Sequence, residues 1–295
     1  MASVHQLIIG IKGAGEMASA IACRLYMANI RKIFMMEVQH PIAVRRGVSF
    51  CDAIYEGHKV VEGVEAISEI KLVGRETDAP NDDRIIRDRN RYSLFQRAWG
   101  EGKIVVVADP EWQVIECIHP HVIVDAILAK KNLGTRMKEA PLVIGLGPGF
   151  VAEKDVHMVI ETNRGHQLGR IITDGKAEPN TGIPGNIDGF TIQRVLRAPA
   201  SGIFQTTRKI GDMVERGYII GKVNDRKMQT EVIAPVEGVI RGLIRKETRV
   251  SKGLKIGDID PRGDKTYCYT ISDKARAIAG SVLEAVLRRF NGVNL

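Results

Sequence analysis

The sequence predicts an α/β chain: a body built on a parallel sheet, then a small duplicated all-β unit, then a closing helix. Three observations carry this. Short apolar runs end in glycine or polar residues through the first 192 positions, a glycine turn joins the first such run to a helical pattern, and residues 198–223 recur at 234–259.

The opening segment, "QLIIGIKGAGEMASAIACRLYMANIRKIFMMEV", reads as strand, turn, helix, strand. Leu7 to Ile11 form the continuous apolar run expected of a buried parallel strand. Gly13-Ala14-Gly15-Glu16-Met17-Ala18 is a G-x-G-x-x-A turn. Gly13 permits the tight bend, Gly15 lets a phosphate reach the backbone, and Ala18 allows close helix–strand packing. The second strand ends at Glu37, about twenty residues on, where a carboxylate can accept hydrogen bonds from ribose hydroxyls. A Rossmann-like body that binds NAD(P) is the expectation, although Glu16 adds negative charge beside the turn.

Residues 71–101 are dense in balanced charge and read as an exposed loop followed by a helix anchored by Leu94, Phe95 and Trp99. Three later strands follow: "KIVVVADPE", "HVIVDAILAKKNLGT" and "PLVIGLGPGF". Each places polar or glycine residues just past an apolar run, the edge where open α/β sheets bind ligands. Candidate cofactor-binding residues there are Asp125, Lys130, Lys131, Asn132, Gly145, Gly147 and Gly149. Arg164, Gly165 and His166 extend the set in "ETNRGHQLGR", since guanidinium beside glycine suits a phosphate or carboxylate. The expected ligand is an anionic small-molecule cofactor. No Ser-His-Asp order, nucleophile elbow or carboxylate pair identifies catalytic residues.

The repeat aligns "APASGIFQTTRKIGDMVERGYIIGKV" with "APVEGVIRGLIRKETRVSKGLKIGDI" at an offset of 36 with seven identities. Each copy has an entry strand, a turn, an alternating strand and a glycine turn. Two such halves resemble the biotinyl/lipoyl barrel-sandwich, in which a carrier lysine sits between the halves. Lys227 in "NDRKMQ" occupies that position. Arg226 replaces the usual apolar neighbour and no Ala/Pro-rich linker precedes the unit, so covalent biotin or lipoyl is not expected. The segment is strongly basic: residues 194–256 hold 14 Lys/Arg against 6 Asp/Glu, whereas 1–193 hold 23 against 24 and 257–295 hold 6 against 5. The chain's net charge of +8 therefore resides there and suits an acidic partner surface. Nucleic acid is not expected, because only Phe204 and Tyr218 could stack on bases.

The closing segment predicts a helix capped by Ser272, with an apolar stripe through Ile278, Val282, Val286 and Phe290 that must pack on the body or on a second copy. No run of 18 apolar residues or leader-like start is present, so a membrane partner is not expected. Four dispersed cysteines fit a reducing cytoplasm. Cys117, His119 and His121 lack a fourth ligand, so no metal site is assigned.

"GIKGAGEMASAIA", "DAILAKKNLGT", "VIGLGPGF", "VIETNRGHQLGR" and "ISDKARAIAGSVLEAV" together resemble the selenium-dependent molybdenum hydroxylase accessory proteins, the YqeB-like family. The resemblance spans nearly the whole chain. It implies a cytoplasmic factor that matures a molybdenum hydroxylase, its partner, and binds molybdenum cofactor or a nucleotide; it supplies no catalytic residues. Two other readings stand beside it: an NAD(P)-dependent oxidoreductase and a non-enzymatic interaction scaffold. The expected organisation is a Rossmann-like region over 1–100, a second α/β region over 101–192, a duplicated barrel-sandwich domain over 193–271 and a C-terminal helix over 272–295. Intact mass spectrometry is expected to give the unmodified chain mass; a biotin- or lipoyl-sized increment on Lys227 would overturn that reading.

Overall fold

The computed structural model describes residues 3–73, 84–180, 182, 188–225 and 228–291, with the backbone alone at 84–89. Two compact units result: residues 1–41, 49–180 and 271–295 form the first, and residues 42–48 with 181–270 the second. Lys227 lies outside the described residues, so the carrier question stays with the sequence.

The first unit is built on one sheet whose strands are β1 (Ile8–Lys12), β2 (Lys32–Glu37), β3 (His58–Val61), β4 (Val64–Ser68), β5 (Ile104–Ala108), β6 (Val122–Asp125) and β7 (Leu142–Leu146). Beyond β8 (Val151–Ala152), β9 (Met158–Ile160) and β10 (Ile171–Ile172) complete it, while β11 (Gly175–Lys176) pairs with β8 alone. The sheet order is β10-β9-β7-β6-β1-β2-β5-β4-β3. Pairings among the inner strands are parallel, whereas β3–β4 and β9–β10 are antiparallel.

This corrects the expected Rossmann-like parallel body. The sheet is mixed and nine-stranded, and it runs unbroken across residue 100. Its helices are α1 (Glu16–Met27), α2 (Ala53–Glu56), α3 (Glu69–Val73), α4 (Arg84–Gly100), α5 (Val114–Ile118) and α6 (Asp273–Phe290). Among the described residues only α1 and α4 make long crossovers between parallel strands; β5 reaches β6 through five-residue α5, and β6 reaches β7 through a loop with one 3-10 turn at Met137–Glu139. The cause is local. "AILAKKNLGTRMKEA" lacks the recurring apolar face that would bury a helix on the sheet. The helix α6 packs on α1 and buries Ile278, Ala279, Val282 and Val286, and the Ser272 side chain accepts from the Ala275 N–H at its start.

The second unit contains β12 (Val195–Arg197), β13 (Gly202–Gln205), β14 (Met213–Val214), β15 (Ile219–Asn224), β16 (Gln229–Ile233), β17 (Gly238–Leu243), β18 (Arg249–Val250) and β19 (Lys255–Asp260). In place of the expected biotinyl/lipoyl-like barrel-sandwich, two separate antiparallel sheets form, ordered β12-β19-β17-β14 and β16-β15-β13-β18. The 36-residue offset carries each strand of one sheet onto a strand of the other, so the repeat exchanges the sheets. The shared glycines follow from this: a side chain at Gly202 would strike the Asn224 carbonyl, and one at Gly238 would strike its repeat counterpart, the Asp260 carbonyl. Phe204, Val223, Val232, Ile240, Ile256 and Ile259 fill the core of the unit.

The halves differ where β19 carries carboxylates. Asp258 and Asp260 are buried, and their counterparts in β15 are Lys222 and Asn224. Arg194 and Arg241 both pair with Asp258, while Arg241 at 3.4 Å and Arg262 at 2.6 Å hold Asp260. Burial alone would raise the Asp260 carboxyl, but the hydrogen bonds and charges of Arg262 and Arg241 outweigh it and hold it below its ordinary value. Its contribution to stability is then present above the unfolded value of 3.8 and lost as pH falls below it. We expect the acid unfolding midpoint to shift and its pH dependence to flatten in Asp260→Asn; an unchanged profile below pH 4, read by circular dichroism, would refute this assignment (window from about the ordinary Asp pKa downward).

Candidate functional site

The carboxyl ends of β1, β2 and β6 meet at the centre of the sheet, where the chain direction of successive crossovers reverses. Gly13 takes a left-handed φ of +89° and its N–H donates to the Met36 carbonyl at 2.7 Å, bending the chain out of β1. A Cβ at Gly13 would lie 3.4 Å from the Ala126 oxygen, so the glycine turn sits directly on the chain leaving β6. Gly15 is the N-cap of α1 and offers no side chain to its first turn; a Cβ there would meet nothing within 4 Å. Ala18 is fully buried against the sheet.

Glu37 is turned onto this turn. Its Oε1 accepts from the Ala14 N–H at 3.1 Å and its Oε2 from the Val38 N–H at 2.7 Å. Burial pushes its carboxyl up, and the two backbone N–H groups partly offset that. The acid that the sequence offered to a ribose therefore also braces the glycine turn.

Sequence reasoning missed the residue at the centre of the site. Lys12, the last residue of β1, is fully buried. Its Nζ donates to Thr135 Oγ1 at 2.8 Å, lies 2.7 Å from a Glu139 carboxylate oxygen, and stands 3.5 Å from the centroid of the Trp112 ring. The Thr135 hydroxyl in turn donates to Asp125 Oδ2 at 2.6 Å, and the Ile127 N–H donates to Asp125 Oδ1 at 3.2 Å. Burial lowers the Lys12 ammonium against the pull of Glu139 and Asp125, and burial raises Asp125 against its hydrogen bonds and Lys12. One cation is thus enclosed between two carboxylates through a hydroxyl. The available signal was a lone charge at the end of the apolar run "LIIGIK", facing an aspartate at the end of the neighbouring strand.

The remaining candidates divide by role. Asn132 closes its own loop: Oδ1 accepts from the Gly134 and Thr135 N–H groups, both at 2.8 Å, and Nδ2 donates to the Thr135 carbonyl. That turn delivers Thr135 to Lys12. Lys130, with a left-handed φ of +63°, and Lys131 are exposed on the same loop. Gly145 makes room for the Phe150 ring, and Gly149 lies against the Lys131 backbone. The Gly147 N–H is committed to the Ile160 carbonyl at 2.8 Å, so "GLGPGF" is a packed turn here. Arg164 forms a two-pronged pair with Asp273 at 2.7 and 2.6 Å, docking its loop on the start of α6; Gly165 and His166 are exposed in that loop. Buried Glu161, also missed, accepts from the N–H groups of Thr162, Asn163 and Glu178, each at 2.7 Å, and so fixes the loop's base. Burial and the Arg164 charge lower the Lys274 ammonium, with Glu16 and Glu161 opposing. Among the described residues no group of three His, Cys, Asp or Glu could hold a metal ion.

No family model matches this chain. It is 46% identical over 285 residues to the uncharacterized protein YqeB of Escherichia coli (strain K12), covering 97% of this chain and 48% of that protein. The chain spans about half the length of the curated relative it matches. Among solved structures, a succinylglutamate desuccinylase/aspartoacylase from Rhodobacter sphaeroides aligns at 13% identity and a TM-score of 0.25, covering 86% of this chain and 85% of that one. An aspartoacylase family protein from Mesorhizobium loti aligns at 11% and 0.28, covering 85% and 84%.

These findings correct the reading drawn from resemblance. The matched relative is named only as an uncharacterized protein and gives no accessory role for a selenium-dependent molybdenum hydroxylase. The maturation role, and the molybdenum and selenium chemistry attached to it, are withdrawn. At those TM-scores the alignments transfer no chemistry to this chain either.

The buried network has a measurable weight. Removing the cation in Lys12→Ala leaves Glu139 and the Thr135–Asp125 pair without their counter-charge, and we expect a loss of about 3–5 kcal/mol in urea unfolding. A loss below about 1 kcal/mol, the range of exposed pairs, would show that Lys12 is not enclosed in solution.

Proposed function

We propose that this chain binds an anionic small molecule of the nucleotide type at the glycine turn, with NAD(P) as the leading class. The observation that carries the reading is Gly15: open space lies before it, at the uncapped start of a 12-residue helix, beside the carboxyl ends of the central strands. Backbone N–H groups and the helix dipole favour negative charge there.

The residues fit such a ligand. Gly15 admits a phosphate to the backbone; the exposed Lys130 and Lys131, on the loop after β6, supply cations. Each Glu37 oxygen takes one backbone N–H, which leaves each a lone pair for a ribose hydroxyl. Glu16 opposes an anion, and Lys274 beside it offsets that charge. The chain's own contribution is to bind and orient; Lys12, sealed beneath its loop, holds that loop in register with β1. No helix is long and apolar enough to cross a membrane among the described residues. We place the protein in the cytoplasm, a reading supported by its four cysteines, none of which forms a disulfide among the described residues.

Titration with NADH, followed by nicotinamide fluorescence, is expected to saturate. Gly15→Asp should weaken binding about tenfold or more by placing a carboxylate where phosphate approaches, a cost of at least about 1.4 kcal/mol. Glu37→Ala should weaken NADH more than inorganic phosphate. Absence of saturable binding by NADH, NADPH and ADP at millimolar concentration would sink the proposal.

A further inference from the structure

We infer that a second, separate site lies between α1 and α6 and takes a small carboxylate with a short hydrocarbon tail. A cavity of about 150 Å³ opens there, floored by Ala20 and Cys23 of α1 and by Ile271 and Ala279 around α6. Small residues make the hollow. Ala20 and Ala279 stand where longer side chains would close the seam between two packed helices, and both are buried. Cys23 adds an inert wall: burial, with the Glu62 charge, pushes its thiol up to about 12, and its Sγ points to the Val61 carbonyl at 3.7 Å.

The rim is charged and unequal. Glu62, Arg24 and Arg276 border the opening, giving two guanidiniums against one carboxylate. Glu62 holds a left-handed φ of +46° in the β3–β4 turn, a conformation costly for a residue with a side chain. From there one oxygen, Oε1, accepts from the Ile271 N–H at 2.9 Å and from Arg276 Nη2 at 2.6 Å. That carboxylate is committed to closing one end of the cavity. Among the described residues Arg24 has no ion-pair partner, so its charge faces the opening unbalanced. An apolar floor under a free guanidinium selects an amphiphile with a carboxylate head, because guanidinium meets both carboxylate oxygens in one plane while the tail leaves water. The volume holds a tail of a few carbons. This inference does not rest on the nucleotide reading, since none of its residues belongs to the glycine turn.

Butyrate is the probe, with butylamine and butanol as charge controls, observed by saturation-transfer NMR and calorimetry on the full chain. Butyrate should bind saturably while butylamine does not. Arg24→Gln, a change on an exposed rim, should weaken butyrate about tenfold, the scale of one charge-assisted hydrogen bond. Ala279→Leu should abolish binding by filling the floor; if that variant does not fold, Arg24→Gln alone decides. NADH binding should be unchanged in Arg24→Gln, which separates failure here from failure of the nucleotide proposal. No butyrate binding at tens of millimolar, equal binding of butylamine, or affinity unmoved by Arg24→Gln would each overturn the site.

Discussion

The first unit turns on one constraint: a lysine ammonium that ends the central strand and cannot reach water. Lys12 closes β1, and the groups that neutralise or cover it come from other parts of the chain. Trp112 comes from the turn after β5, Asp125 from the end of β6, and Thr135 and Glu139 from the long β6–β7 loop. An isolated buried cation would cost far more than a domain's net stability, so the loop must be placed correctly for the sheet to be stable. This explains how a connection without a helix is nonetheless ordered. Asn132 folds it back on itself, and Thr135 and Glu139 pin it to the strand end.

The same edge sets a braced turn beside open space. Gly13 and Glu37 form a closed arrangement of backbone and carboxylate that fixes the turn, while Gly15 leaves space in front of it. Arg164, a prominent cation in the sequence, is consumed in holding a loop to α6. Lys130 and Lys131 remain exposed. Cations that are spent on architecture and cations that face solvent look alike in sequence, because the partner of Arg164 lies 109 residues away.

The second unit shows a different economy. Its duplicated halves supply one core and two sheets related by exchange, and the matched glycines Gly202 and Gly238 mark equivalent points of backbone approach. The halves part company at Asp258 and Asp260, which gather Arg194, Arg241 and Arg262. Part of the positive excess that suggested an acidic partner is thereby used within the unit. Removing any one of those charges leaves the others buried or half-buried without compensation, the costly way to disturb such a cluster.

Local signals in the sequence determined the glycine turn, the helix behind it, the acid at the end of β2, the Ser272 cap and the 36-residue repeat. Each depends on residues close in the chain, or on a pattern that repeats along it. Tertiary structure alone decided the mixed edges of the sheet, the two-sheet form of the repeat and the enclosure of Lys12. Strand direction at an edge follows from connection length and neighbour choice, which periodicity does not encode. The fate of a charge follows from the burial and partners it meets on folding. Lys12 reads as a solvated lysine before a turn, yet it lies 123 residues from the hydroxyl that receives its proton-bearing nitrogen.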